Sequence, residues 1–76
     1  MAGLAPVSWK EFERFLVFIG CTFRRETASH RAWGRAGLSR PIIVPKYPAI
    51  PVFVIRNNLR TLGMTVAEYL EILRNL

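Results

Sequence analysis

The feature that most constrains this chain is a change of hydrophobic period at Gly20. Before it, Trp9, Phe12, Phe15, Leu16 and Ile19 recur at helical spacing, with Lys10, Glu13 and Arg14 on the opposite face. Val17 and Phe18 widen the apolar stripe, so this helix is expected to be mostly covered. Ser8 followed three residues later by Glu11 is a capping box that starts the helix at Trp9, and Gly20 supplies the left-handed stop. Residues 1–7, small and apolar with Pro6, read as a frayed lead-in.

After Gly20 the pattern shortens to that of strands. Cys21–Arg25 reads as a first strand and Glu26–Ser29 as a turn. His30–Arg35 reads as a second strand, with Arg31, Trp33 and Arg35 on one face and His30 and Ala32 on the other. A Gly37-containing connection leads to Pro41–Val44, β-branched and closed by Pro45, the clearest strand of the three. Three prolines hold 46–51 irregular. A second helix is predicted over Val52–Leu62, with Ile55, Leu59 and Leu62 on one side and Arg56 and Arg60 on another. Gly63 ends it, and Thr65 with Glu68 caps a short last helix carrying Val66, Tyr69, Leu70 and Leu73.

These elements predict an α+β fold in one small domain spanning residues 1–76. Its order is α-β-β-β-α plus a short C-terminal helix. A three-stranded antiparallel sheet with both main helices on one face satisfies every apolar stripe and leaves the other face open. The same order occurs in double-stranded-RNA-binding domains, a likeness of fold that does not by itself assign function.

Charge narrows the function. Residues 24–60 carry eight cations against Glu26 alone, and the whole chain is +6 with nine arginines, two lysines and no aspartate. A basic middle between balanced ends suits a polyanion, either nucleic acid or an acidic protein, and arginine favours forked phosphate contacts. The single cysteine, Cys21, cannot form an internal disulfide and is expected as a buried thiol. No apolar run approaches the ~20 residues needed to span a bilayer. Phe15–Cys21 faintly imitates a lipoprotein signal, but it is too short and follows Glu11 and Glu13. A cytoplasmic protein is expected.

Within the basic middle, the stretch Thr27–Trp33 holds the only histidine, His30, with Arg24, Arg25 and Arg31 around it. Imidazole is the one side chain whose ordinary pKa, about 6.5, lets it take and give a proton near neutrality. Ser29 adjoins it and suits a turn. In a strand, adjacent side chains face opposite ways, so a hydrolase triad is not expected. Trp9, Phe12, Phe15 and Phe23 read as core. Trp33 reads as core or as a platform for a base.

Several motifs then line up: Gly20, Arg24 and Arg25, Ser29-His30, Val44-Pro45-Lys46, Leu59-Arg60 and Leu62-Gly63. In this order the chain resembles the HicA-type (YcfA-like) mRNA interferase toxins of toxin–antitoxin pairs, over about residues 8–72. The resemblance implies metal-independent cleavage of mRNA with His30 as the catalytic residue, no cofactor, and an acidic HicB-like antitoxin as partner. Two positions depart from the family's pattern. Ala28 stands where the family has glycine before Ser-His, and Tyr47 stands where a second histidine is frequent. Alanine is strained at the positive φ that glycine takes freely. Tyrosine, with an ordinary pKa near 10, is a poor acid–base group at neutrality but can stack or donate a hydrogen bond.

In this reading His30 transfers the proton and Arg24, Arg25, Arg31, Lys46 and Arg56 contact RNA. Ala28 and Ser29 shape the turn, and Tyr47 and Trp33 are available to a base. RNA carries its own nucleophile, the 2′-hydroxyl, so cleavage needs no metal. The lack of aspartate and of Cys/His clusters fits that. Two alternatives stay open: a non-catalytic RNA-binding module using the same face, and a docking module for an acidic protein.

Overall fold

A computed structural model describes residues 3–76. The element order is α1 (Trp9–Phe18), β1 (Thr22–Thr27), β2 (His30–Gly34), β3 (Ile42–Pro45), α2 (Val52–Leu62) and α3 (Val66–Arg74). The strands form one antiparallel sheet in the order β1-β2-β3. This is the predicted α+β arrangement, α-β-β-β-α with an added C-terminal helix. Among the described residues, no helix is long and apolar enough to cross a membrane.

The local signals act where the sequence places them. The Ser8 hydroxyl accepts the Glu11 N–H at 3.2 Å and opens α1. At its other end Gly20 takes φ 91°, and the Cys21 and Gly20 N–H groups close back onto Leu16 and Val17 carbonyls. Thr65 and Glu68 cap α3 reciprocally, at 3.1 Å and 2.8 Å.

One core lies between the helices and one face of the sheet. Phe12, Phe15 and Leu16 of α1 meet Trp33, Ile42 and Val44 of the sheet, Ile55 and Leu59 of α2, and Tyr69 of α3. Phe15 and Tyr69 stack edge to face, centroids 4.8 Å apart. Truncating either of two such aromatics, Phe12 or Phe15, to alanine would cost about 3–5 kcal/mol. Cys21 is buried as expected, and burial pushes its thiol pKa up against the opposing pull of Arg35 and Arg24.

Several expectations need correction. β1 runs on to Thr27, because Glu26 and Thr27 pair with Arg31 and His30, so the turn is only Ala28 and Ser29. The lead-in is not frayed where described: Val7 bridges Ile50, and Leu4 and Val7 pack against the core. Met1 and Ala2, part of the same expectation, lie outside the described residues. Val17 and Phe18 are not covered; Phe18 is 64% exposed. Phe23 is half-exposed rather than core. Glu13, placed by helical spacing on the polar side of α1, is buried.

Candidate functional site

The position of His30 follows from the tightness of the β1–β2 turn. With Thr27 paired to His30, only Ala28 and Ser29 make the reversal. Ala28 takes φ 52°, the conformation for which glycine is the easy residue. His30 then pairs with Pro45 across β2–β3, and the Lys46 N–H donates to the Ser29 carbonyl at 2.8 Å, extending the ladder past the strand end. The imidazole is exposed, with Ser29 Oγ 3.4 Å from Nδ1 and no hydrogen-bond partner for Nε2 among the described residues.

Tyr47 is held beside it by the N-terminal segment. Trp9 N–H donates to the Tyr47 carbonyl at 3.1 Å, and Ile50 N–H donates to the Val7 carbonyl at 2.7 Å. The Tyr47 ring meets the His30 ring edge to face, centroids 6.5 Å apart. His30, Tyr47, Pro45 and Ile43 form one wall of a groove of about 270 Å³, and Phe53, Val54 and Asn57 of α2 form the other.

Strand alternation divides the sheet. On the face toward α1, Arg31 pairs in register with Glu26 and Val44, and Trp33 with Phe23 and Ile42. Glu13 of α1 reaches this face. Its Oε2 accepts Arg31 Nε at 2.6 Å and Trp33 Nε1 at 2.8 Å. Arg31 also donates to Glu26 at 2.8 Å, and Lys46 Nζ donates to the same carboxylate at 3.2 Å. The Arg31 guanidinium lies over the Phe23 ring at 4.3 Å. These contacts hold the Glu26 carboxyl below its ordinary pKa and raise that of Arg31.

Two of the expected RNA contacts are ion-paired in the free chain. Arg31 and Lys46 sit on the helix side, their charge offset by Glu13 and Glu26. Trp33 is corrected as a base platform. At 6% exposure, with its N–H bound to Glu13, it is core.

The face bearing His30 is different. Phe23 pairs with Trp33 and Arg25 with Ala32, which leaves Arg24 as the extra residue of a bulge. Without it, adjacent arginines would point to opposite faces. With it, both oppose Ala32, on the side of His30. Arg24 lies across Gly34 so closely that an added Cβ there would sit 2.9 Å from Nε. Arg56 is exposed on α2, with no ion pair among the described residues. Arg40 is not singled out by the sequence, and Arg60 is placed by it only on a face of the second helix. Both line a groove with Asn57, Ile43 and Ser39.

The charge is thus sorted. Five glutamates and five cations (Lys10, Arg14, Arg31, Lys46 and Arg74) belong to α1, α3 and the ion network on the helix side. The net +6 resides in Arg24, Arg25, Arg35, Arg40, Arg56 and Arg60. Among the described residues, no three His, Cys, Asp or Glu side chains are grouped to hold a metal ion. A larger apolar groove, lined by Trp9, Arg14, Val17, Phe18 and Leu76, shares no residue with the His30 groove. In comparison with known proteins, no family model, curated protein or solved structure matches this chain.

Proposed function

We propose that this chain is a metal-independent endoribonuclease acting on mRNA, the toxin member of a HicA-like pair, with His30 as its catalytic residue. The observation that carries this reading is the exposed imidazole, its Nε2 without a partner among the described residues, on the sheet face where Arg24 and Arg25 also lie. The motif resemblance at Ser29-His30 and Val44-Pro45-Lys46 supports it. The partner is an acidic antitoxin that covers the His30 face.

The chemistry follows from one imidazole. Neutral His30 takes the proton of the RNA 2′-hydroxyl. The 2′-oxygen bonds to phosphorus, and the bond from phosphorus to the 5′-oxygen breaks. In-line displacement puts the leaving oxygen on the far side of phosphorus from the base, so solvent protonates it. The products are a 2′,3′-cyclic phosphate and a 5′-hydroxyl. Arginines steady the charge as it shifts among the phosphate oxygens. A single general base contributes about 10²–10⁴-fold.

A second reading, RNA binding without cleavage, is favoured by one observation: the ring beside His30 is Tyr47, a poor proton donor or acceptor at neutrality. Incubating the purified chain with mRNA in EDTA separates the two. Cleavage leaving cyclic-phosphate ends, lost about 10²–10⁴-fold in His30→Ala, is the expected result. Equal cleavage by His30→Ala overturns the catalytic assignment. Tight binding with no cleavage by either protein gives the second reading.

A further inference from the structure

The His30 groove does not end at α2. Ile43, Asn57 and Asn58 line it and also line the next groove along the sheet, which carries Arg40 on the side of β3 and Arg60 on the side of α2. That second groove shares Ser39, Arg40 and Pro41 with a third, lined by Arg24, Gly34 and Arg35. The first two form one trough between β3 and α2, and the third continues it past Ser39–Pro41 to the end of β2, so the run is aromatic at one end and arginine-lined at the other.

Its two ends have different chemistry. At the His30 end, Phe53 stands 65% exposed on the first turn of α2, facing the groove that Tyr47 and His30 also line. Exposed aromatics in a groove just below the size of drug-binding pockets, about 300–1,000 Å³, suit one planar heterocycle. α2 begins here at Pro51 with no side-chain cap. In the middle, Asn58 Nδ2 donates to the Ile43 carbonyl at 3.0 Å, which fixes α2 against β3. Asn57 is not used in that way. Its Oδ1 accepts Arg60 Nη1 at 3.4 Å, and its amide donors remain available. Beyond it, Arg40 and Arg60 have no carboxylate partner among the described residues.

We propose that a single-stranded RNA lies along this trough, with an unpaired base between Phe53 and Tyr47 beside His30 and the neighbouring phosphates on Arg40 and Arg60. The inference rests on the reading that the His30 face handles RNA, and it assigns the direction and contents of the site. Phe53 is a base platform, Asn57 donates to a base edge or to the backbone, and Arg40 and Arg60 are phosphate contacts. Stacking requires the base to be out of a duplex, which makes a single strand the ligand. A protein with acidic side chains would also meet the arginines, but it would leave the aromatic end without a planar partner.

The test uses the full chain and fluorescently labelled 2′-O-methyl oligonucleotides, which lack the nucleophile and so report binding alone. Phe53→Ala should weaken binding about tenfold. An abasic nucleotide should weaken the wild type equally and add nothing to Phe53→Ala. Phe53→Trp should retain affinity. Arg40→Gln with Arg60→Gln should lower the slope of log affinity against log salt by about 1.4, the release expected from two single-strand phosphates. Wild-type affinity in Phe53→Ala, an unchanged salt slope, or equal binding of a duplex of the same sequence overturns the trough. If the wild type binds through these residues but cleaves nothing, the trough stands and the nuclease reading falls. If cleavage depends on His30 and ignores Phe53, Arg40 and Arg60, the reverse holds.

Discussion

The indole N–H of Trp33 and the carboxylate of Glu13 meet at 2.8 Å beneath the sheet, twenty residues apart in sequence. The same carboxylate oxygen accepts Arg31 Nε at 2.6 Å. One acidic side chain thus ties α1 to the strand that begins with His30.

Removing it leaves a buried indole N–H and a guanidinium short of a partner. Breaking a buried pair by deleting one member costs about 3–5 kcal/mol, and Glu13 sits at the edge of that class because Arg31 is partly exposed. Glu13→Ala should lose about 3 kcal/mol in urea denaturation. Glu13→Gln, which still accepts a hydrogen bond, should lose about 1 kcal/mol. A double-mutant cycle with Arg31→Met measures the coupling directly.

Ala28 holds a positive φ in a two-residue turn. A left-handed alanine costs roughly 1–2 kcal/mol, and glycine avoids this while losing more freedom on folding. Ala28→Gly should therefore stabilise the chain by about 1 kcal/mol, raising Tm by about 4–8 °C. An unchanged or lower Tm would show that the turn carries no strain.

The Tyr69 hydroxyl is buried and has no hydrogen-bond partner among the described residues. Tyr69→Phe removes this orphan and keeps the stacking on Phe15, so stability at neutral pH should hold or rise by up to about 1 kcal/mol. Burial, with the Glu11 charge adding to it, pushes the phenol pKa from 10.0 up to about 12. A folded-state pKa above the unfolded one means the contribution is complete below pH 10 and is lost as pH rises towards 12. Wild-type Tm should fall across that window, and Tyr69→Phe should fall less.

Glu26 reports the opposite limb. Hydrogen bonds from Arg31 and then Lys46 hold its carboxyl below the ordinary value of 4.5. Stability from this group is present above pH 4.5 and is lost as pH falls below it. In Glu26→Gln the acid limb of a Tm-against-pH curve should be shallower. Raising salt should shrink the difference at neutral pH, since the network is open to solvent.

Much of the fold was legible because its signals are local. The Ser8 cap, the Thr65–Glu68 capping box, the stop at Gly20, the apolar run Ile42–Val44 and the helix over Val52–Leu62 each act within a few residues. Glu13 was not legible, because its polar partners come from β2 and a helical wheel sees only α1. The lead-in was misread for the same reason: Val7 is held by Ile50, far along the chain. Among the site residues, His30 and Tyr47 were visible as residue types, and their adjacency depends on the Trp9–Tyr47 hydrogen bond. Which arginines share the His30 face was hidden by the bulge at Arg24 and by the pairing of Arg31 and Lys46. Arg40 and Arg60 join the trough only because α2 lies against β3.

The sorting of charge has a consequence for encounter as well as for contact. Of the six arginines that carry the net +6, Arg24 and Arg25 lie on β1, Arg56 and Arg60 on α2 and Arg40 just before β3, with only Arg35 turned to the end of α1, so the molecule carries a dipole across its thickness. In the field of a polyanion it turns before it touches. On the proposed reading, RNA would then meet the imidazole side first. That advantage is kinetic. It fades as counterions shorten the reach of the field, about 8 Å at 0.15 M salt.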